Sequence, residues 1–493
     1  MKTGGDSAGV NKGGSNLFLS RGPDFIAEVS VFLLGFALRF YHLGRESLWL
    51  DEANSLAWAS ISDYMEVAFP NDVHPPFYFL LLKVWTALFG KSEFSLRFPS
   101  LVFGLLTLIF FYLFLKEVFS RRVALFSVFL LAISPFHIRY SQEARGYSLL
   151  AFLVLGSMYF LYKLLKNHGR KYQVLYFLFS FLMLMTHYYG FFYLAAQWVF
   201  VVLFYWRSKD ILKRWFTVQF LILIFYLPWL IWMIKTVQKI YGHFWPPRAS
   251  LNLLWKTAVV YSGGELEVSL MFLLLFMGLF RSLKENPRLG VYFLLWLILP
   301  VFLPFLISFS RLHIFLRKCT IGAFIPFVAF VGLGVEELKG IKHKLTAMLL
   351  IGVFLFPQLK SYYSVPQKEQ WREVVSFIEK RLRRGDVVVL TPEFLAKAFS
   401  YYSRKRGFKR DVIEWRLLGN PGKIEEKVKE EILGKPVKRM WLITSHLPAG
   451  ALKNVLQVLK KFGVVAGVRH FKGISVFEIK FKNDFLEKRK IEN

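Results

Sequence analysis

Two adjacent carboxylates, Asp51 and Glu52, stand in the segment Ser47-Leu48-Trp49-Leu50-Asp51-Glu52-Ala53, among aromatic and aliphatic neighbours. Charges in such a setting are costly unless they are paired or used. A carboxylate there suits a general base acting on a hydroxyl or amine within hydrogen-bond reach. The alternative is a solvated helix start, where Asp and Glu are favoured by the helix dipole. Further along, His74-Pro75-Pro76 places an imidazole beside two prolines fit for a first helical turn; taken singly, such a histidine is more often structural than a ligand. Arg97, in Phe94-Ser95-Leu96-Arg97-Phe98-Pro99, has interfacial snorkelling as its bland role. The run Ser134 to Tyr147 packs Arg139, Gln142, Glu143, Arg145 and Tyr147 into a short stretch. Guanidinium forks suit phosphate oxygens, with Glu143 placed to fix one of them by ion pairing; a salt-bridge network clamping two helices is the competing reading. His187 and Tyr188, in Thr186-His187-Tyr188-Tyr189, add polar and aromatic groups, and Arg311, His313, Arg317 and Lys318 form a last cationic cluster. Carboxylates for an acceptor's proton and cations for a departing phosphate together suit transfer from a lipid-phosphate donor.

These residues must be positioned by a chain of 493 residues that is 55% hydrophobic and 18% aromatic, against about 45–50% apolar for soluble domains. With 64 Lys+Arg against 33 Asp+Glu the net charge is +31. Runs of membrane-spanning length exclude a soluble nucleic-acid binder, and excess Lys/Arg is expected in short cytoplasmic loops. The single cysteine, Cys319, rules out an intramolecular disulfide and a cysteine-rich metal site.

Residues 1–24 are Gly/Ser-rich and polar, and are expected to be a disordered cytoplasmic tail. Apolar runs begin near residues 25, 98, 123, 148, 174, 191, 216, 265, 289, 320 and 344, giving about eleven transmembrane helices over 25–360. The apolar stretch 75–90 is short and carries Lys83. Counting it as a span would put five Lys/Arg-rich loops outside; laying it in the interface puts all five inside, as the positive-inside rule requires. The large first external loop is then 44–97, and the chemistry-bearing clusters all fall on the external face. After about residue 360 helical patterns (Trp371–Leu382, Ile424–Leu433, Ala451–Phe462) alternate with short apolar runs (Val387–Leu390, Met440–Thr444, Ile474–Phe477). Residues 361–493 are therefore expected to form an extracytoplasmic soluble α/β domain, without a phosphate-binding glycine motif.

Leu43 to Ala53, His74-Pro75-Pro76-Phe77-Tyr78, Phe94 to Pro99 and Ser134 to Tyr147 occur in an order and spacing that resembles the GT-C superfold of membrane glycosyltransferases. The likeness is in particular to prokaryotic relatives of dolichyl-phosphate-mannose protein mannosyltransferase and of the lipid A aminoarabinose transferase. Weaker echoes follow in Thr186 to Gly190, Arg311 to Pro326 and Trp371 to Val374. The resemblance implies an inverting transfer of one sugar from a polyprenyl-phosphate carrier to a glycan, lipid or protein acceptor, on the outer face of the cell membrane. It assigns Asp51 as catalytic base and Glu52 to orienting a sugar. It puts His74 and Arg97 at the donor pocket, and offers Arg139, Arg145, Arg311 and Arg317 for the donor phosphate.

No cofactor and no metal are expected: Asp51, Glu52 and Asp72 are few for the divalent site that oligosaccharyltransferases, more distant members of the superfold, build from several carboxylates. The rival functions are a transporter or flippase of lipid-linked sugar and a non-catalytic subunit of a glycan assembly complex. A transporter is expected to show internal repeats and mid-membrane ionisable groups; the sequence has no repeat, and Glu28 and Arg39 lie near the ends of the first run. Partners are the lipid donor, the bilayer and the acceptor, with no nucleic acid.

Overall fold

The computed structural model describes residues 23–61, 74–167, 169–241, 246–407, 412–416, 421–433, 437–448 and 450–482. The expected N-terminal tail, apart from its last two residues, and Asp72 lie outside them. The chain opens with α1 (Pro23–Phe40), then two short helices, α2 (Leu50–Ala59) and α3 (Phe77–Phe89), before α4 (Glu93–Val118). With 13 residues, α3 is about 20 Å long, too short to cross a hydrocarbon core of about 30 Å. Ser92 caps α4 by accepting from Ser95 N at 3.1 Å, and Ser120 does the same for α5 (Arg121–Ile133) from Val123 N at 3.2 Å. Pro135 then starts α6 (Pro135–Ser141), bent 64° from α5.

α7 (Tyr147–Lys166), α8 (Arg170–Thr186), α9 (Gly190–Tyr205) and α10 (Lys209–Ile240) follow. After them come α11 (Leu251–Ser262), α12 (Val268–Glu285), α13 (Pro287–Ile307), α14 (Ile321–Glu337) and α15 (Ile341–Ser364). All eleven apolar runs of the sequence thus form helices. Among the described residues six helices are long and apolar enough to cross a membrane individually, or seven with α5 and α6 taken as one broken span. The chain is a multi-pass membrane protein. α14 is buried along almost its whole length, whereas α10 and α15 expose Phe220, Ile224, Leu349 and Val353. At the α12–α14 crossing a side chain on Gly278 would run into Phe330 O, and one on Gly334 into Leu274 O; these two helices approach backbone to backbone, as small residues allow.

Beyond α15 lies a five-stranded sheet in the order β2-β1-β3-β5-β4. Its strands are β1 (Asp386–Thr391), β2 (Val412–Glu414), β3 (Arg439–Thr444), β4 (Gly463–Phe471) and β5 (Ile474–Phe481). The first three are parallel, and β5 pairs antiparallel with β3 and β4. The helices are α16 (Trp371–Glu379), α17 (Ala396–Lys405), α18 (Pro421–Lys427), running into a π-helical turn at Val428–Leu433, and α19 (Ala451–Phe462). Every helical pattern and apolar run read in this part of the sequence is an element here; α17, β2 and β4 are additions. Alternation along the strands sorts the core. Val387, Val389, Met440 and Leu442 pack with α18 and α19. Val388, Leu390, Trp441 and Ile443 join Trp371, Phe399 and Tyr402 in one cluster continuous with the membrane helices. The C-terminal domain is therefore fused to the rest by a shared core.

Candidate functional site

The two carboxylates of the first turn of α2 have opposite fates. Glu52 is fully buried. Its oxygens accept from Arg97 Nε (2.8 Å) and Nη2 (2.7 Å), Lys368 Nζ (2.8 Å) and Ala144 N (2.9 Å). Arg97, equally buried, spends its remaining donors on Leu43 O, Glu46 O and Ser47 O at 2.9–3.0 Å. Burial alone would raise the Glu52 carboxyl, but Arg97 and Lys368 hold it down at about 2. Burial beside Arg97 brings Lys368 down to about 8, with Glu52 opposing. The Glu52–Arg97–Lys368 cluster ties α2, α4 and the segment after α15 together, and neither Glu52 nor Arg97 lines the cavities around Asp51.

Asp51 faces the other way. It is partly exposed and accepts from Lys318 Nζ at 2.9 Å. Burial opposes its charge, yet Arg145 and Lys318, with His74, hold it ionised down to about 2. It lies in the wall common to two cavities. The smaller, about 410 Å³, is mostly apolar and is bounded by α9, α10 and α13, and His74, Arg145, Tyr147, His187 and Tyr188 line it with Asp51. Lys318 sits 5.2 Å from the Tyr147 ring centroid, and Arg145 donates to His74 Nε2 at 3.2 Å and Ser55 Oγ at 3.3 Å. His187 packs 6.0 Å from His74 and accepts from Tyr189 N at Nδ1. Burial, with the nearby His74 and the cations Arg145 and Lys318, pushes it well below its ordinary range, so it is neutral. The larger cavity, about 1370 Å³, carries Arg139, Arg317, Lys318 and His446 on its walls.

Several expectations are revised by this geometry. Glu143 pairs with neither Arg139 nor Arg145: it is buried, and its Oε1 has no hydrogen-bond partner. The reason is the turn after α6, which carries Glu143 inward, while Arg139 is exposed towards the large cavity and Arg145 is directed to His74. Burial raises the Glu143 carboxyl and the charges of Glu52 and Asp51 reinforce this, against Lys368 and Lys318. Gln142 is taken up in structure, donating to Arg39 O (2.8 Å) and Tyr41 O (2.7 Å) at the end of α1 and accepting from Tyr362 (2.8 Å). Arg317 lines the large cavity and donates to Lys256 O at 3.3 Å. Arg311 is exposed and lines neither cavity.

Sequence reasoning gave no role at the site to Lys368, Glu369 or His446, and placed Lys318 in a cluster without linking it to Asp51. The available signal was the polar run Gln367-Lys368-Glu369-Gln370 directly after the last apolar helix. For His446 there was none, since only tertiary structure brings it within reach. Among the described residues no group of three or more metal-ligating His, Cys, Asp or Glu side chains occurs.

Residues 73–232 match the family model for dolichyl-phosphate-mannose-protein mannosyltransferase; the match takes in His74, Arg97 and the Arg139–Tyr147 cluster. No curated protein matches in sequence. Among solved structures, ArnT from Cupriavidus metallidurans in the apo state superposes with TM-score 0.60 at 13% identity, covering 92% of this chain and 98% of ArnT. The same protein bound to undecaprenyl phosphate gives 0.58 at 12% identity, covering 94% and 98%. The archaeal oligosaccharyltransferase AglB from Archaeoglobus fulgidus, in complex with an inhibitory peptide and a dolichol-phosphate, gives 0.54 at 13%, covering 92% of this chain and 74% of AglB. At these identities the likeness is one of fold, and the GT-C resemblance read from the sequence is borne out at that level: the chain shares the architecture of ArnT and AglB over nearly its full length.

Proposed function

We propose that the protein is a membrane glycosyltransferase that moves one sugar from a polyprenyl-phosphate donor to an acceptor hydroxyl, inverting the anomeric centre. The observation that carries this reading is Asp51, ionised, flanked by Lys318 and Arg145, in the wall between an apolar cavity and a larger cationic one. The apolar cavity suits the prenyl end of the donor, with its phosphate at Lys318 and Arg145, where a charge-assisted contact favours a phosphate oxygen. The acceptor enters from the larger cavity, whose Arg139 and Arg317 favour an anionic glycan or lipid. Its oxygen attacks the anomeric carbon and its proton passes to Asp51. The bond from that carbon to the phosphate oxygen breaks, and its electron pair leaves on the polyprenyl phosphate. Such a leaving group is already an anion and needs cations rather than a general acid. His74, Tyr147, His187 and Tyr188 shape the donor side; Glu52 and Arg97 position α2. The polyprenyl phosphate held by ArnT and the dolichol-phosphate held by AglB in those structures support the donor class. The positive-inside rule supports eleven spans, with Asp51 and the C-terminal domain outside the cell membrane.

The test is reconstitution of the full chain with a panel of polyprenyl-phosphate hexoses and pentoses, following released polyprenyl phosphate by mass spectrometry. Release by the wild type and its loss by at least about 100-fold in Asp51→Asn are expected, the scale of a removed general base. Undiminished release in the variant would remove Asp51 as base. No release from any sugar would return the transporter or assembly-subunit reading.

A further inference from the structure

α2 carries the proposed base yet starts without a local cap. Its N-cap residue is Trp49, whose side chain makes no capping hydrogen bond, although the first N–H groups of a helix require acceptors. The missing acceptor comes from the C-terminal side of the chain. Glu369 Oε2 accepts from Leu50 N, the first N–H of α2, at 3.1 Å, and its backbone oxygen accepts from Ser47 Oγ at 2.6 Å. A carboxylate at a helix N-terminus is favoured by both the open N–H groups and the dipole. Glu369 is itself held: Trp371 Nε1 donates to Oε2 at 2.6 Å, and the His446 Nε2 hydrogen-bonds Oε1. His446 belongs to the loop between β3 and α19 and adopts a left-handed backbone, φ 52°, a conformation uncommon outside glycine that persists where surroundings enforce it. Its half-exposed ring lines the same cavity as Asp51.

We infer that Glu369, held by His446, is a positioning group for the reaction: it caps α2 from the C-terminal domain and so fixes the orientation of Asp51 between the two cavities. Neither residue need touch the substrate for this. The inference rests on the reading of Asp51 as base. It differs from a purely architectural role because the backbone contact to Ser47 and the Glu52–Arg97–Lys368 cluster hold α2 in the fold even when the Glu369 side chain is disturbed. The side chain adds aim.

The experiment uses the full-length protein in proteoliposomes, with whichever polyprenyl-phosphate sugar of the panel turns over and water as acceptor, and compares wild type, His446→Ala, His446→Gln, Glu369→Ala and Asp51→Asn. His446→Ala is expected to lower kcat about tenfold, since small misplacements of a reacting group cost up to about 100-fold, with donor KM and Tm unchanged. His446→Gln, whose amide can still donate to Glu369, is expected to recover most of the loss. Glu369→Ala should lose more than His446→Ala. Wild-type kcat in both Ala variants overturns the inference, as does a rise in donor KM with kcat intact, or a kcat loss that follows a fallen Tm and is not rescued by Gln. Full activity in Asp51→Asn sinks both readings, whereas an inactive Asp51→Asn beside a fully active His446→Ala and Glu369→Ala sinks this one alone.

Discussion

Asp51 and Glu52 are neighbours in sequence, yet the fold asks opposite things of them. Glu52 neutralises two buried cations, and removing one partner of a buried ionic cluster costs about 3–5 kcal/mol because the rest is left uncompensated. Glu52→Gln is therefore expected to lower the thermal unfolding temperature markedly in detergent. Asp51→Asn, at a partly exposed pair, should lower that temperature less than Glu52→Gln while abolishing transfer. The pH behaviour of Asp51 follows from its partners. Its carboxyl is held at about 2 against an ordinary 3.8, so its pairing contributes stability above the ordinary value and loses it only as pH falls through about 2. The proposed base is charged throughout the physiological range, and the wild-type rate should show no acid limb from it above about pH 4. Lys318→Met removes one of the groups that depress it, so the carboxyl moves upward in the direction that burial favours. The expected outcome is an acid limb shifted to higher pH in the rate profile; an unshifted profile would show that Lys318 does not tune the base.

At the scale of elements, the α5–α6 break is what brings the cationic turn to the site. Arg39, fully buried, donates to Leu131 O (3.0 Å) and Ala132 O (2.9 Å) at the end of α5 and to His137 Nδ1 (2.8 Å) in α6. It occupies the carbonyls that the break leaves open. Arg39→Met should destabilise by at least about 1–3 kcal/mol, the cost of leaving buried polar groups unpaired, and should reduce turnover by shifting Arg139 and the turn that follows; calorimetry alongside the release assay checks both. Such a role was illegible in the sequence, where an arginine near the end of an apolar run reads as a snorkelling anchor. The helices themselves were legible, because apolar runs punctuated by Lys/Arg-rich turns dictate them. α3 was legible too: its length and Lys83, which donates to Ile61 O at 2.9 Å, mark it as short of a span. Asp51, His74, Arg145 and Lys318 were visible as residue types, but their convergence needed tertiary structure. The pairing of Glu52 with Arg97 spans 45 positions and that with Lys368 spans 316; no local pattern encodes either.

At the scale of the molecule, the C-terminal domain is built into the framework that carries the candidate site rather than appended to it. Arg372 reaches Glu93 at the start of α4 (2.8 Å), Tyr402 accepts from Leu48 N (2.6 Å), and the sheet shares its core with the membrane helices. The positive-inside reading places this domain outside. A fusion of alkaline phosphatase after residue 493 should therefore be active in a bacterial host, and a green fluorescent protein fusion there should be dark; the reverse pattern would invert the topology. One further consequence follows from the way α2 is capped. Leu50 and the residue that caps its N–H are 319 positions apart, and the chain is made from the N-terminus onward. Until residue 369 has been made, the start of α2 lacks the acceptor that Glu369 gives to Leu50 N. A chain stalled or clipped before residue 369 would keep the residues that line the apolar cavity and lose the group proposed to aim Asp51. On the proposed reading, nascent and truncated chains are therefore expected to turn over slowly, with full activity awaiting synthesis past the last membrane helix and docking of the domain behind it.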